Sequence, residues 1–284
     1  MNLQAGAPEA RVFIISYPKS GRTWLRLMIG RALHELIGLD ELTMFEEKRI
    51  VAAEGMLPTF LTHDGSSNAE GRRWQDLETD KSRYRGKNVV YLTRDPRDVV
   101  VSCFFQATRR RSIFRGTMSE FIRSDNYGIR KIVTFNSIWH AARNVPEAFL
   151  PVRYEDLHVA PREVLRCVLE VMGVSRTDDG LLDRAIEFAR FDNMRRMEQE
   201  GQFQSKKLRP RDSHDEESFK VRKGKVAGYV DYLDPDDRGF VDRVMRELDD
   251  PYWPASRGSE PRPAGPPPDR ASRSASCGRS TQPA

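Results

Sequence analysis

The stretch Val12-Phe13-Ile14-Ile15-Ser16-Tyr17-Pro18-Lys19-Ser20-Gly21-Arg22-Thr23-Trp24 decides the fold. Val12 to Tyr17 is a β-branched and aromatic run of strand type. It enters the short loop Pro18 to Gly21, and a helical pattern follows with apolar residues at Leu25, Met28, Ile29, Ala32, Leu33, Leu36 and Ile37, stopped by Gly38. A strand feeding a tight turn that opens a helix aims backbone N–H groups and the helix dipole at one anion, and Lys19 and Thr23 add a charge and a hydroxyl. The loop is not of the Gly-x-x-x-x-Gly-Lys-Ser/Thr kind, because its lysine precedes its only glycine and no Gly-Lys-Ser/Thr follows to hold magnesium.

Outward from this loop the alternation continues. Thr59 to Thr62 and Asn88 to Thr93 read as strands, the second followed by an apolar helix through Phe105. Tyr127 to Asn144 reads as a helix, Phe149 to Tyr154 as a strand, and Pro161 to Met172 as a helix with proline in its first turn and Gly173 beyond its end. Asp236 to Leu248 is again helical. Strands separated by helices imply a mostly parallel sheet covered on both faces, with ligand groups at the carboxyl ends of the strands.

The chain has 284 residues, 38% hydrophobic and 31% charged, which suits one large folded unit. Of the formal net charge of +5, the segment 255–284 supplies +3 through Arg257, Arg262, Arg270, Arg273 and Arg279 against Glu260 and Asp269. The remainder is near neutral, which argues against nucleic acid as a partner. Three cysteines without paired spacing exclude a disulfide framework and a cysteine-based zinc site. No basic stretch leads into a long apolar run near Met1, and no apolar segment is long enough to span a membrane, so a cytoplasmic protein is expected. Residues 1–10 read as a short extension, 11–254 as the domain, about 201–221 as a flexible lid rich in Lys206, Lys207, Arg209 and Arg211, and 255–284 as a disordered tail.

The string Tyr17 to Trp24 resembles the Tyr-Pro-Lys-Ser-Gly-Thr-Thr-Trp signature of the cytosolic sulfotransferases, matching seven of its eight positions with Arg22 replacing the first threonine. The resemblance implies an α/β, three-layer, P-loop-like fold with a central parallel sheet of about five strands flanked by helices. It also implies transfer of a sulfuryl group from 3′-phosphoadenosine 5′-phosphosulfate (PAPS) to an acceptor hydroxyl or amine, releasing 3′,5′-bisphosphoadenosine (PAP), with no metal. By that resemblance Lys19 meets the oxygen bridging phosphate and sulfate, Ser20, Gly21, Arg22 and Thr23 hold the 5′-phosphate, and Trp24 packs against adenine. Arg22 either supplements that grip or crowds it.

A second motif, Arg94-Asp95-Pro96-Arg97-Asp98 with Ser102 on the following helix, puts a guanidinium fork and a hydroxyl where one phosphate could share them. Taken alone, Arg94 reads equally as a salt-bridge partner of Asp95 or Asp98. Together with Arg222-Lys223-Gly224, which ends at Gly228 without the family's following Asp-Trp, it resembles the family's 3′-phosphate site. Tyr154 and Phe191 resemble its adenine contacts, although each also reads as a core aromatic.

For a base, His63 is singled out among five histidines because it ends the strand expected beside the phosphate loop. A hydroxyl is a poor nucleophile at neutral pH, and imidazole has a suitable pKa. Leu61-Thr62-His63 keeps the Thr-His of the family's Lys-Thr-His and lacks its lysine, and Asp64 is a candidate to orient His63 or to touch the acceptor. His34, His140, His158 and His214 are assigned to helices or loops away from chemistry. Met44 to Leu57, Phe104 to Tyr127 and the lid would wall the acceptor, a small molecule, lipid or carbohydrate. Two other readings stay open: a P-loop-type nucleotide kinase, and a nucleotide-binding scaffold of the same fold without catalysis.

Overall fold

The computed structural model describes residues 9–38, 49–50, 55–202, 212 and 215–253. The sequence expectations for the tail 255–284, for most of the extension 1–10, for the centre of the lid, for residues 44–48 and 51–54 of the acceptor wall and for His214 lie outside the described residues.

Five strands form one sheet: β1 (Val12–Ser16), β2 (Arg49–Ile50), β3 (Thr59–Thr62), β4 (Asn88–Thr93) and β5 (Ala148–Arg153), in the order β2-β3-β1-β4-β5. Strand β1 pairs in parallel with β3 through Val12 and Thr59 and with β4 through Val12 and Asn88, and β4 pairs in parallel with β5. The short β2, absent from the sequence reading, joins β3 antiparallel. Two residues carry too little periodicity to be read as a strand. Pro151 is tolerated in β5 because that strand is a sheet edge.

Each strand serves two cores because successive side chains point to opposite faces. On one face Val12, Ile14, Val90 and Leu92 pack with Leu25, Met28 and Ile29 of α1 (Arg22–Ile37). Leu165 and Val168 of α2 (Pro161–Val171), Leu182 of α3 (Asp179–Phe188) and Met194 of α4 (Phe191–Gln199) complete that layer. On the other face Phe13, Ile15, Val89 and Tyr91 pack with Val99 and Val100 of α5 (Pro96–Phe105), Phe135 and Trp139 of α6 (Ile129–Ala141), and Val241 and Met245 of α7 (Pro235–Glu247). The short helix α8 (Met118–Arg123) adds Phe121 to this layer, and α9 (Tyr154–Val159) follows β5 directly. The architecture is the expected three-layer α/β sandwich around a mainly parallel sheet. No described helix is long and apolar enough to cross a membrane.

The topology selects the site. Strand β1 has β3 on one side and β4 on the other, so the connections leaving β1 and β4 part at its carboxyl end and open a crevice there. The loop Tyr17 to Gly21 stands at that opening. Gly21, at φ 94°, caps α1 in the left-handed region, and Gly38 at φ 67° ends it with its N–H on the His34 carbonyl at 2.9 Å. Asp95 caps α5 by accepting from the Arg97 N–H at 2.9 Å, with Pro96 in the first turn.

Candidate functional site

One cavity of about 590 Å³ lies over the carboxyl ends of β1, β3 and β4. Lys19, Gly21, Arg22, Thr23 and Trp24 from the first loop line it together with His63, and so do Arg94, Ser102 and Tyr154. Phe191, Arg222, Lys223, Gly224 and Gly228 reach the same cavity from late in the chain. Ser20 is 1% exposed, behind the loop rather than on the wall.

The first loop is shaped by close approach. Lys19 has φ 72°, an uncommon backbone for a residue with a Cβ. At Gly21 a Cβ would run into the ring of Tyr154, so only glycine lets the α1 terminus come this near β5 and α9. At the start of α1, Arg22 and Thr23 line the cavity, and their N–H groups precede the first helical hydrogen bonds, which begin with the Trp24 and Leu25 N–H groups on the Gly21 carbonyl. Lys19 Nζ donates to the Lys220 carbonyl at 3.4 Å. Burial, and secondarily the Arg110 guanidinium, pull the Lys19 pKa down from the usual lysine range to about 7.

His63 follows β3 and meets the same loop from the side. Its Nδ1 lies 2.8 Å from the Ser16 carbonyl oxygen. A carbonyl can only accept, so Nδ1 carries the hydrogen and Nε2 presents a lone pair. Arg22 Nη2 donates to that lone pair at 2.7 Å. Asp64 does not orient His63, which corrects the sequence expectation. With φ 46°, its carboxylate turns the other way to Lys81 Nζ at 2.8 Å, Arg83 and the Tyr84 hydroxyl at 2.7 Å. A buried carboxylate goes where donors are, and those donors lie outside the cavity.

Arg94 joins the three sequence motifs. Its guanidinium lies 4.3 Å from the Tyr154 ring centre, with Nη2 on Asp98 Oδ2 at 3.2 Å and on the Lys225 carbonyl at 2.9 Å, and Nη1 3.5 Å from the Lys19 carbonyl. Asp98 in turn accepts from the backbone N–H groups of Ala227 and Tyr229 at 3.0 and 2.9 Å. Arg222 donates to Glu217 at 3.0 Å and to the Tyr232 hydroxyl at 2.5 Å, and its guanidinium lies over Phe105 at 4.5 Å. Lys223 Nζ sits 4.5 Å from the Tyr232 ring centre. Gly224, at φ 59°, has the Phe191 ring where a Cβ would go.

Trp24, Tyr154 and His158 form an aromatic corner, with ring centres 5.6 Å apart for Trp24 and Tyr154, 4.6 Å for Trp24 and His158, and 4.8 Å for Tyr154 and His158. Burial, and then Arg94, lower the His158 pKa. Sequence reading placed His158 in a loop, whereas it occupies α9 one turn after Tyr154. The same i, i+4 spacing places Arg26 one turn after Arg22, and both line the cavity. Lys220 and Arg190, also unassigned by sequence, complete the wall. The residues read as acceptor walls behave differently: Phe104, Phe114 and Phe121 pack edge to face on one another, with Phe104–Phe121 and Phe114–Phe121 ring centres at 5.6 and 5.1 Å.

The donor set suits a guest with two separated anionic groups and a flat ring. Arg22 Nη1, Trp24 Nε1 and Arg94 Nε are buried and have no hydrogen-bond acceptor among the described residues. Cations from three stretches of the sequence and the aromatic corner line the same cavity.

Residues 81–250 match the sulfotransferase domain family. Among curated proteins the chain is 23% identical to cytosolic sulfotransferase 16 of Arabidopsis thaliana, over 82% of this chain and 74% of that one. It is 24% identical to flavonol 3-sulfotransferase of Flaveria bidentis, over 84% and 79%. Its fold is similar to that of a mouse sulfotransferase complexed with PAP, with a TM-score of 0.58 and 20% identity over 85% of this chain and 84% of that one. It is also similar to retinol dehydratase in complex with androsterone and inactive cofactor PAP, with a TM-score of 0.57 and 17% identity over 84% and 80%. The family match spans more than half of the sequence and contains the Arg94 and Arg222 motifs, so the chain belongs to the sulfotransferase domain family, the PAPS-dependent sulfotransferases.

Proposed function

We propose that the protein moves a sulfuryl group from PAPS to a hydroxyl or amine on a small-molecule, lipid or carbohydrate acceptor, with His63 as general base and no metal. The observation that carries the reading is the continuity of the cavity from Lys19 and Arg22 to Arg94 and Arg222. A single nucleotide with anionic groups at both ends could span it. In this reading Lys19 and the N–H groups of Ser20 to Thr23 hold the 5′ end. Arg94, Ser102, Arg222, Lys223 and Gly224 hold the 3′-phosphate, while Trp24, Tyr154 and Phe191 enclose the base.

PAPS, when bound, supplies an activated sulfuryl group whose sulfur bonds to the acceptor oxygen as its bond to the 5′-phosphate oxygen breaks. The acceptor proton passes to His63 Nε2, the nitrogen left as an acceptor by the Ser16 carbonyl on Nδ1. Lys19 offsets negative charge on the departing phosphate oxygen. Positioning and charge stabilisation provide most of the acceleration, as in phosphoryl transfer. Leu61, where the family's lysine would stand, is 1% exposed in the core, so positive charge near His63 must come from other elements. The relative named for flavonol suggests a phenolic hydroxyl as a first acceptor to try.

The test is a thermal-shift comparison of PAP, AMP and ATP with magnesium, followed by transfer of labelled sulfuryl from PAPS to an acceptor panel. Preferential stabilisation by PAP and labelled product support the reading. Preference for ATP with magnesium would replace it with a kinase, and PAP binding without transfer to any acceptor would replace it with a binding scaffold.

A further inference from the structure

The cations of the cavity are not compensated evenly. Toward Arg94 each has a carboxylate: Arg94 pairs with Asp98, Arg222 with Glu217, and Lys223 and Lys225 with Asp231. At the His63 end Lys19, Arg22 and Lys220 have none among the described residues; their polar contacts are a carbonyl and an imidazole. Glu198, whose charge reaches Lys19, has both oxygens engaged by the N–H groups of Lys220 and Val221 at 2.7 and 2.8 Å. Lys220 is half-buried beside Lys19, Arg110, Arg26 and Arg22, and burial followed by those neighbours drives its pKa well below the usual lysine value. The lysine charge at this end is therefore held back until an anion arrives, while the Arg22 guanidinium stays charged at neutral pH.

Arg22 makes the consequence specific. Its Nη2 fills the Nε2 lone pair of His63 at 2.7 Å, and its Nη1 is buried without an acceptor among the described residues. A histidine whose lone pair is occupied cannot take a proton, so the guanidinium must leave Nε2 before His63 acts. With the donor's 5′ anion taken by Lys19 and the loop N–H groups, a neutral acceptor offers the displaced guanidinium nothing in exchange. An acceptor bearing an oxyanion gives it a charge-assisted partner and uncovers the base in the same movement.

The geometry points to an oxyanion subsite formed by Arg22 and Lys220 beside His63, and hence to acceptors that carry a carboxylate, sulfate or phosphate close to the hydroxyl that is sulfated. This rests on the sulfotransferase reading with His63 as base and adds the acceptor class to it. Lys19 serves the donor, Arg22 lies against the base, and the base must touch the acceptor, so Arg22 belongs to the acceptor side.

The test uses the full chain loaded with PAPS, so that the anions of the donor are already in place. Benzoate and benzamide are isosteric, differ in charge and have no hydroxyl to sulfate, so their binding can be titrated by NMR or calorimetry without turnover. The subsite predicts that benzoate binds at least about tenfold more tightly than benzamide. Arg22→Ala and Lys220→Gln should each bring the two ligands to within about threefold, with Arg22→Lys intermediate. Lys220→Gln keeps the test decisive should Arg22→Ala disturb the loop. In turnover, 4-hydroxybenzoate should exceed 4-hydroxybenzamide in kcat/KM, and the ratio should collapse in the same variants. Equal binding of the two probes, binding of neither, or a benzoate preference unchanged in both variants would overturn the subsite while PAP stabilisation left the sulfotransferase reading standing. Failure of PAP to stabilise the wild type would overturn both.

Discussion

His63 and Lys19 show how single side chains are tuned by what surrounds them. The Ser16 carbonyl fixes the His63 tautomer at 2.8 Å, leaving Nε2 as the basic nitrogen. Replacing His63 with alanine should lower kcat by about 10²- to 10⁴-fold, the usual range for a positioned base. The stabilisation by PAP should survive, because His63 is assigned to the acceptor rather than the nucleotide; a sulfuryl-transfer assay and a thermal melt check the two halves. Lys19 behaves differently. Burial brings its pKa to about 7 in the free protein, and a bound anion raises it again. Binding above pH 7 must then take up a proton, so nucleotide affinity is greatest below pH 7 and falls, by up to about tenfold per unit, as pH rises past it. Calorimetry at pH 8 in buffers of different ionisation enthalpy reads that proton directly, and a buffer-independent enthalpy would refute the assignment.

Among the elements, the late segment Lys220 to Gly224 is neither helix nor strand, and it is held by a carboxylate on its backbone and by the Arg222 side chain on Glu217 and Tyr232. Glu198 on α4 takes the N–H groups of Lys220 and Val221, and Gly224 folds against Phe191 at the start of the same helix. Gly224→Ala would meet both a φ of 59° and the Phe191 ring, and should lower PAP affinity by at least about tenfold. Gly71→Ala is the control: it has a similar φ of 65° and nothing within 4 Å of the added methyl, so it should destabilise slightly and leave PAP affinity alone. Titration of PAP against both variants separates a steric effect at the site from backbone strain. This segment also shows where sequence reading stopped. Strands β3 and β4 were legible to the residue because their side chains are buried and β-branched or aromatic. Residues 215–221 fall within the segment read as a lid, and Ser218 and Phe219 among them are buried. Lys220 and Val221 are anchored on a carboxylate 22 and 23 residues upstream, a contact that charge and periodicity do not announce. The three anion motifs were legible as strings, and Arg26 and His158 could have been found by stepping one helical turn from Arg22 and Tyr154. Lys220 could not, since only the closure of the chain over Lys19 gives it a role.

At the scale of the whole molecule, the parting of connections on either side of β1 places ionisable groups from distant parts of the sequence at one crevice and buries others beneath it. Their titrations set how stability follows pH. Burial lowers Lys19 to about 7 and Lys131 to about 8, both below the lysine value of the unfolded chain. Between pH 7 and 9 the unfolded chain thus binds more protons than the folded one, and stability rises with pH. Burial raises Glu155 to about 7 and Asp250 to about 6, so these two carboxyls add stability as pH falls below 7, against Lys220 and His158, whose lowered pKa values act in the opposite sense. The melting temperature of the free protein should therefore rise from pH 7 to pH 9. In the proposed complex, PAP holds Lys19 in its charged form, which removes part of the gain on the alkaline side. The rise in melting temperature produced by a fixed concentration of PAP should accordingly be larger at pH 7 than at pH 9. Scanning calorimetry with and without PAP measures both, and a free-protein melting temperature that falls steadily from pH 7 to 9 would show that the buried lysines keep their protons in the folded state.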